Sequence, residues 1–386
     1  MTIIEGADGV TLTSTGMIAF REHADFIDKF FAGESTDSER GFRFVMTLNH
    51  EAVHFLQCFT ASFPYSFSVS VFELCTQLMD TARQGQLSRK VAMEFRDAFH
   101  SRARQFNAEH KGLTTIHLLE AMAVSEAYRA TVSQSRKGDH LAFLDFMRTQ
   151  APELKSVYRL AFEIVASIHG DSAAYNLTSR LCFLALNSES PPEHFLTMVH
   201  SLPRDSGVEL SEVPAISLLS SFGIDISQTL LAQIERGLPP AFEHPVFAPF
   251  MKELANLGDV HQQYELAARP GDLYSSGTQS TNLVPPLAVF SGGRGRIMGL
   301  AQKWSRVELF HYFDATAMIG ACFSLMSGQR YYQSCPHTQC DLNKSAICHS
   351  WFAKPQNIPW TDCVFPKRFP VQFGATYKDV ESVFAL

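Results

Sequence analysis

The residues most able to do chemistry stand together at His50-Glu51-Ala52-Val53-His54. Two imidazoles four positions apart on a helix are separated by about 6 Å along its axis and share one face, so their ring nitrogens can meet at one ion. Zinc takes imidazole nitrogen at about 2.0–2.1 Å. The carboxylate directly after the first histidine is placed to take a proton from water bound to that ion. Apolar residues flank the motif on both sides, Phe44, Val45 and Leu48 before it and Phe55 and Leu56 after it, which sets the helix against a core. One helical turn therefore offers two metal ligands, His50 and His54, and one general base, Glu51.

A catalytic zinc takes three protein ligands and leaves one position to water. Glu120 is the candidate for the third, because it interrupts the stretch Leu118-Leu119-Glu120-Ala121-Met122-Ala123-Val124, where a carboxylate is costly to bury without a cation beside it. Glu126 and His117 are the neighbouring alternatives. With these residues the sequence resembles the gluzincin class of HExxH zinc metalloproteases, whose third ligand is a glutamate on a later helix, often followed by small residues and a second acid. The resemblance covers these two short helices, and Ala121 stands where that class commonly has glycine. It implies His50, His54 and Glu120 as ligands of one catalytic Zn2+, Glu51 as base, Glu126 as the second acid, and a peptide or protein substrate. The metzincin continuation, a glycine and a third histidine, is not met by Phe55-Leu56-Gln57-Cys58-Phe59-Thr60. Tyr128, His169 and Tyr175 are candidates for stabilising the oxyanion that such hydrolysis creates.

Two other functions use the same residues differently. Glu51 with His54 and Glu308 with His311 are ExxH pairs, and with Glu22, Glu120, Glu126 or Glu163 they describe a di-iron carboxylate oxidase or oxygenase, in which His50 has no role. A non-enzymatic helical protein carrying the motif structurally is the remaining alternative. Separately, Cys335, Cys340, Cys348 and Cys363, with His337 and His349 among them, supply enough thiolates to close a second, structural zinc site. Gly292, Gly293, Gly295 and Gly299 with Arg294 and Arg296 form either an anion cradle or a surface loop, and match neither the dinucleotide fingerprint nor the Walker loop.

Positioning these groups requires helices. Apolar spacing predicts them over Gly16 to Phe31, Phe42 to Phe59, Arg89 to Phe106, Thr115 to Ser133, Leu141 to Thr149, Leu154 to His169, Ala173 to Leu186 and Ile297 to Met326. Ser62 to Val71 alternates like a strand before helical spacing resumes at Phe72. Proline and polar residues mark loops at Asn187 to Pro192, Gly237 to Pro249 and Pro270 to Pro286. The fold class expected is mainly α: a helical metallohydrolase-like domain over residues 1–275, then a C-terminal helix and an irregular cysteine-containing tail over 276–386.

Composition narrows the partners. The chain has 386 residues, 46% apolar, with a net charge of −7, so no basic field is available to neutralise phosphates and nucleic acid is excluded as a main partner. The longest nearly uncharged apolar stretch, Ala315 to Met326, is short of the roughly 20 residues a membrane span requires. Met1 to Val10 has neither a basic nor an apolar leader region, so the expected location is the cytoplasm. Cys58, Cys75, Cys182 and Cys322 lie among apolar neighbours and read as reduced and buried. The 32 phenylalanines point either to a bulky aromatic core or to an apolar groove. Oligomeric state leaves no mark in the sequence.

Overall fold

The computed structural model describes residues 9–12, 17–34, 38–132, 140–149, 152–203, 213–225, 227, 243–245, 287–292, 296–299, 306–328 and 365–385. The protein is mainly α. In chain order the elements are β1 (Gly9–Leu12), β2 (Met17–His23), α1 (Ala24–Phe31), α2 (Ser38–Thr60), α3 (Ser62–Arg83), α4 (Arg89–Phe106), β3 (Glu109–His110), β4 (Leu113–Thr114), α5 (Thr115–Val132), α6 (His140–Thr149), α7 (Pro152–His169) and α8 (Asp171–Leu186). There follow α9 (Pro191–Ser201), α10 (Ala215–Ser221), β5 (Leu287–Gly292), β6 (Arg296–Gly299), α11 (Arg306–Ser327), α12 (Phe365–Phe373) and α13 (Tyr377–Phe384).

Helix α5 is the hub. It packs against α2, α7, α8 and α9, and its small and medium side chains, Ala121, Met122, Ala123 and Ala127, are fully buried between them. Residues with little bulk let neighbouring axes approach on several sides at once, which is why α5 is apolar nearly all round rather than along one stripe. The turn of the β3–β4 hairpin aims it: Lys111 and Gly112 both take positive φ, 51° and 81°, as a tight two-residue hairpin demands. The core around α5 continues through Phe143, Phe162, Leu181, Phe183 and Phe195.

A second core lies on the other side of α3, where Val71, Phe72, Cys75, Leu78 and Met79 meet Ile319, Cys322 and Met326 of α11 and Phe369 and Phe373 of α12. Helix α3 thus serves two cores, and this explains the strand-like reading of its first half. Tyr65 faces the α5 core, while Phe63 and Phe67, one turn apart, both lie against Phe106 of α4 with ring centroids at 5.6 and 4.3 Å. Burial on opposite sides mimics alternation, but the backbone is helical from Ser62 onward. The start of α3 is held by Asn187, whose Oδ1 accepts from the Ser62 amide and hydroxyl at 3.0 and 3.1 Å.

Two expected helices are corrected. Met17 to His23, expected within a helix from Gly16 to Phe31, is strand β2, and helix α1 begins only at Ala24. Arg296 to Gly299 is strand β6, so the long helix expected from Ile297 starts instead at Arg306. Both segments join one four-stranded sheet of order β1-β2-β5-β6, in which β2 and β5 run parallel and the outer pairs are antiparallel. Local apolar spacing resembled a helix, but strand pairing decides the matter: β6 pairs with the adjacent β5, and β2 lies between the adjacent β1 and the distant β5. Phe20, Phe26, Ile27 and Phe44 form a small aromatic core under this sheet, next to α2.

The chain end adds α12 and α13 where little periodicity was visible. A capping box starts α13, with Thr376 Oγ1 accepting from the Asp379 amide while Asp379 Oδ2 accepts from the Thr376 amide. Between the two helices Gly374 has φ +70°, and a Cβ built there would lie 3.0 Å from Arg83 Cα and 3.2 Å from its carbonyl oxygen. The turn therefore needs glycine twice over, for its backbone angle and for its closeness to the end of α3. Cys335, Cys340, Cys348 and Cys363 lie outside the described residues, as do Gly293, Arg294 and Gly295, the expected loop from Pro270 to Pro286, and most of the one from Gly237 to Pro249. Cys58, Cys75, Cys182 and Cys322 are buried free thiols. Among the described residues no helix is long and apolar enough to cross a membrane.

Candidate metal centre

Helices α2 and α5 bring together His50, His54 and Glu120. On α2 the two histidines are one turn apart, and their Nε2 atoms converge to 3.1 Å with the ring planes nearly perpendicular, at 88°. From α5, Glu120 places Oε2 3.0 Å from His50 Nε2 and 3.4 Å from His54 Nε2. Two hydrogen bonds fix the register of the helices around this point. Asn49 Nδ2 donates to Thr131 Oγ1 at 3.0 Å, and Gln57 Nε2 donates to the Leu119 carbonyl at 2.9 Å.

The three atoms form a triangle with sides of 3.0, 3.1 and 3.4 Å. A tetrahedral ion with ligands at about 2.0–2.1 Å has ligand-to-ligand edges of about 3.3–3.4 Å. The triangle is therefore close to one face of a zinc tetrahedron before any ion is added, and the three residues could hold a metal ion. Each side chain is largely shielded, between 13% and 17% exposed.

Charge supports the same reading. Burial opposes charge on His54, yet the adjacent Glu120 carboxylate overcomes it, with smaller help from Glu51 and Gln57, and raises the imidazole to about 9. Burial likewise opposes ionisation of Glu120, but the two imidazoles hold its carboxyl far below the ordinary range. The site thus demands positive charge, which protons supply in the absence of a cation. With neutral imidazoles the Glu120 carboxylate is a buried charge without compensation, which a cation held by the three residues would balance.

The other sequence candidates are placed elsewhere. Glu126, 3% exposed, is in an ion pair with Arg129 at 3.1 Å, and the Arg129 guanidinium lies 4.6 Å over the Tyr175 ring. His117 turns back to the start of α5, where its Nδ1 accepts from the Thr114 amide at 3.1 Å. His169 donates from Nε2 to the Val199 carbonyl at 2.8 Å. Tyr128 packs between Phe143 and Phe146. Glu163 pairs with Arg159 along α7. Glu22, Glu308 and His311 have side chains outside the described residues.

Two neighbours of the centre were not singled out from the sequence. Gln57 Oε1 lies 2.8 Å from His54 Nδ1, and its position three residues after His54 on the same helix was a readable signal. Tyr158 of α7 sets its ring edge-on to His50 with centroids 5.8 Å apart, and nothing in the local pattern of α7 distinguishes it from a core tyrosine. No family model matches the chain, and no curated protein or solved structure shows significant similarity to it.

Proposed function

We propose that the protein is a zinc-dependent hydrolase, and that its substrate is a peptide or protein. The near-tetrahedral triangle of His50 Nε2, His54 Nε2 and Glu120 Oε2 carries this reading. Zinc held by these three residues would lower the pKa of a water molecule and polarise a substrate carbonyl. Glu51 follows His50 on α2, is buried, and is near enough for its charge to act on His54. It takes the proton of the attacking water and delivers it to the leaving amine, as a single carboxylate can do in both halves of amide hydrolysis. The peptidase assignment adds the resemblance to gluzincins at His50, Glu51, His54 and Glu120. Glu126, the second acid of that resemblance, has a structural role through Arg129 instead.

Elemental mass spectrometry on the purified protein and on a His50→Ala/His54→Ala variant tests the proposal. The expected result is zinc in the wild type, one equivalent less in the variant, and cleavage of a peptide library by the wild type alone. Iron near two per chain would give first place to the di-iron oxidase, and no metal in either protein would sink both.

A further inference from the structure

Gln57 is fully buried, between Leu56 and Cys58, which are themselves buried, on the inner face of α2. An amide in such a place is costly unless both of its ends are bonded. Both are, and the direction of each bond follows from chemistry. The Leu119 carbonyl, 2.9 Å away, can only accept, so the end of Gln57 that faces it is the NH2 group. The other end is then the amide oxygen, which lies 2.8 Å from His54 Nδ1 and can itself only accept. His54 Nδ1 must therefore carry a hydrogen. In the neutral ring this leaves the lone pair on Nε2, the atom that faces His50 and Glu120.

We propose that Gln57 is a positioning residue for the metal centre: it selects the His54 tautomer and ring angle that present Nε2 to the ion. The inference rests on the metal-centre reading and deepens it. Most metal-binding histidines give their second N–H to a carboxylate, a carbonyl or water. Here a neutral side chain from the same helix does so, and its other end is fastened to the residue before Glu120. One amide thereby sets the ring of one ligand and the starting point of another, across the two helices that form the site.

The test compares Gln57→Leu and Gln57→Glu, titrated with Zn2+ and with Co2+. Leucine removes both bonds, whereas glutamate keeps an acceptor for His54, replaces the donor to Leu119 with a second acceptor and adds a negative charge beside the ring. Positioning through His54 predicts a loss of metal affinity of about 10- to 100-fold for leucine, with affinity at or above the wild type for glutamate, whose carboxylate also makes the ring a more basic ligand. An equal loss in both variants would show that Gln57 acts only as a strut between the helices, and no loss in either would overturn the proposal. NMR of the metal-free protein gives a second readout that needs no ion. The His54 Nδ1 proton is expected to exchange slowly in the wild type and Gln57→Glu, where an acceptor holds it, and to exchange rapidly with solvent in Gln57→Leu. A wild type that binds no metal yet shows this signal would defeat the metal-centre reading while leaving the Gln57 bond standing. Absence of the signal from the wild type would defeat the bond itself.

Discussion

His50 Nε2 and Glu120 Oε2 are 3.0 Å apart although they belong to different helices and are seventy positions apart in the chain. Their contact makes the α2–α5 interface a site as well as a core seam, because neither group would be buried there without the other or a cation.

Glu51→Gln removes the proton acceptor and keeps the side-chain volume. We expect bound zinc to be unchanged and turnover to fall by roughly 100- to 10,000-fold. A parallel measurement of metal content and peptide cleavage decides it, since full activity in the variant would remove Glu51 from the mechanism.

Zinc should also stabilise the fold, because its ligands come from two helices that separate on unfolding. At a free concentration one hundred times the dissociation constant the gain is about 2.7 kcal/mol. Thermal melts with and without Zn2+ should show a rise for the wild type and none for His54→Ala. A shift that survives in the variant would place the binding elsewhere, with the cysteines between Cys335 and Cys363 the first place to look.

Glu126 and Arg129 form a buried pair, so Glu126→Ala leaves the guanidinium charged and under-solvated. The expected loss of stability is about 3–5 kcal/mol, read from denaturant unfolding. Zinc stoichiometry at saturating metal should stay at the wild-type value wherever the protein is folded, and loss of one equivalent would return Glu126 to the ligand set.

At Gly374 an added methyl meets backbone and the left-handed angle opposes any side chain. Gly374→Ala should lower stability by at least about 1 kcal/mol, visible as a lower melting temperature with the metal-binding isotherm unmoved. A neutral or stabilising effect would mean that the α12–α13 turn can shift away from Arg83.

How far the sequence revealed this protein depended on the reach of each interaction. Helices α2, α4, α5, α6, α7 and α8 were readable to within a few residues because their apolar spacing is local. The His50, Glu51, His54 cluster was readable for the same reason, and Glu120 because an acid in an apolar helix needs an explanation. Strands β2 and β6 were not, since Met17 to Phe20 and Ile297 to Gly299 have helix-compatible spacing and become strands by pairing: β6 with the adjacent β5, and β2 with the adjacent β1 and the distant β5. Tyr158 was hidden too: its place beside His50 depends on how α7 lies on α5, which no short window contains.

The parallel pairing of β2 with β5 has a consequence for how the molecule is made. Strand β2 leaves the ribosome early, at Met17–His23, and its neighbour β5 only at Leu287–Gly292. Synthesis proceeds at roughly 5–20 residues per second, so for many seconds β2 has β1 on one side and an open edge on the other. The helices around α5 can gather during that interval, and the sheet closes afterwards. Closure of the β2–β5 edge is thus a late step of high contact order, and until it occurs the edge of β2 is open to pairing with another molecule.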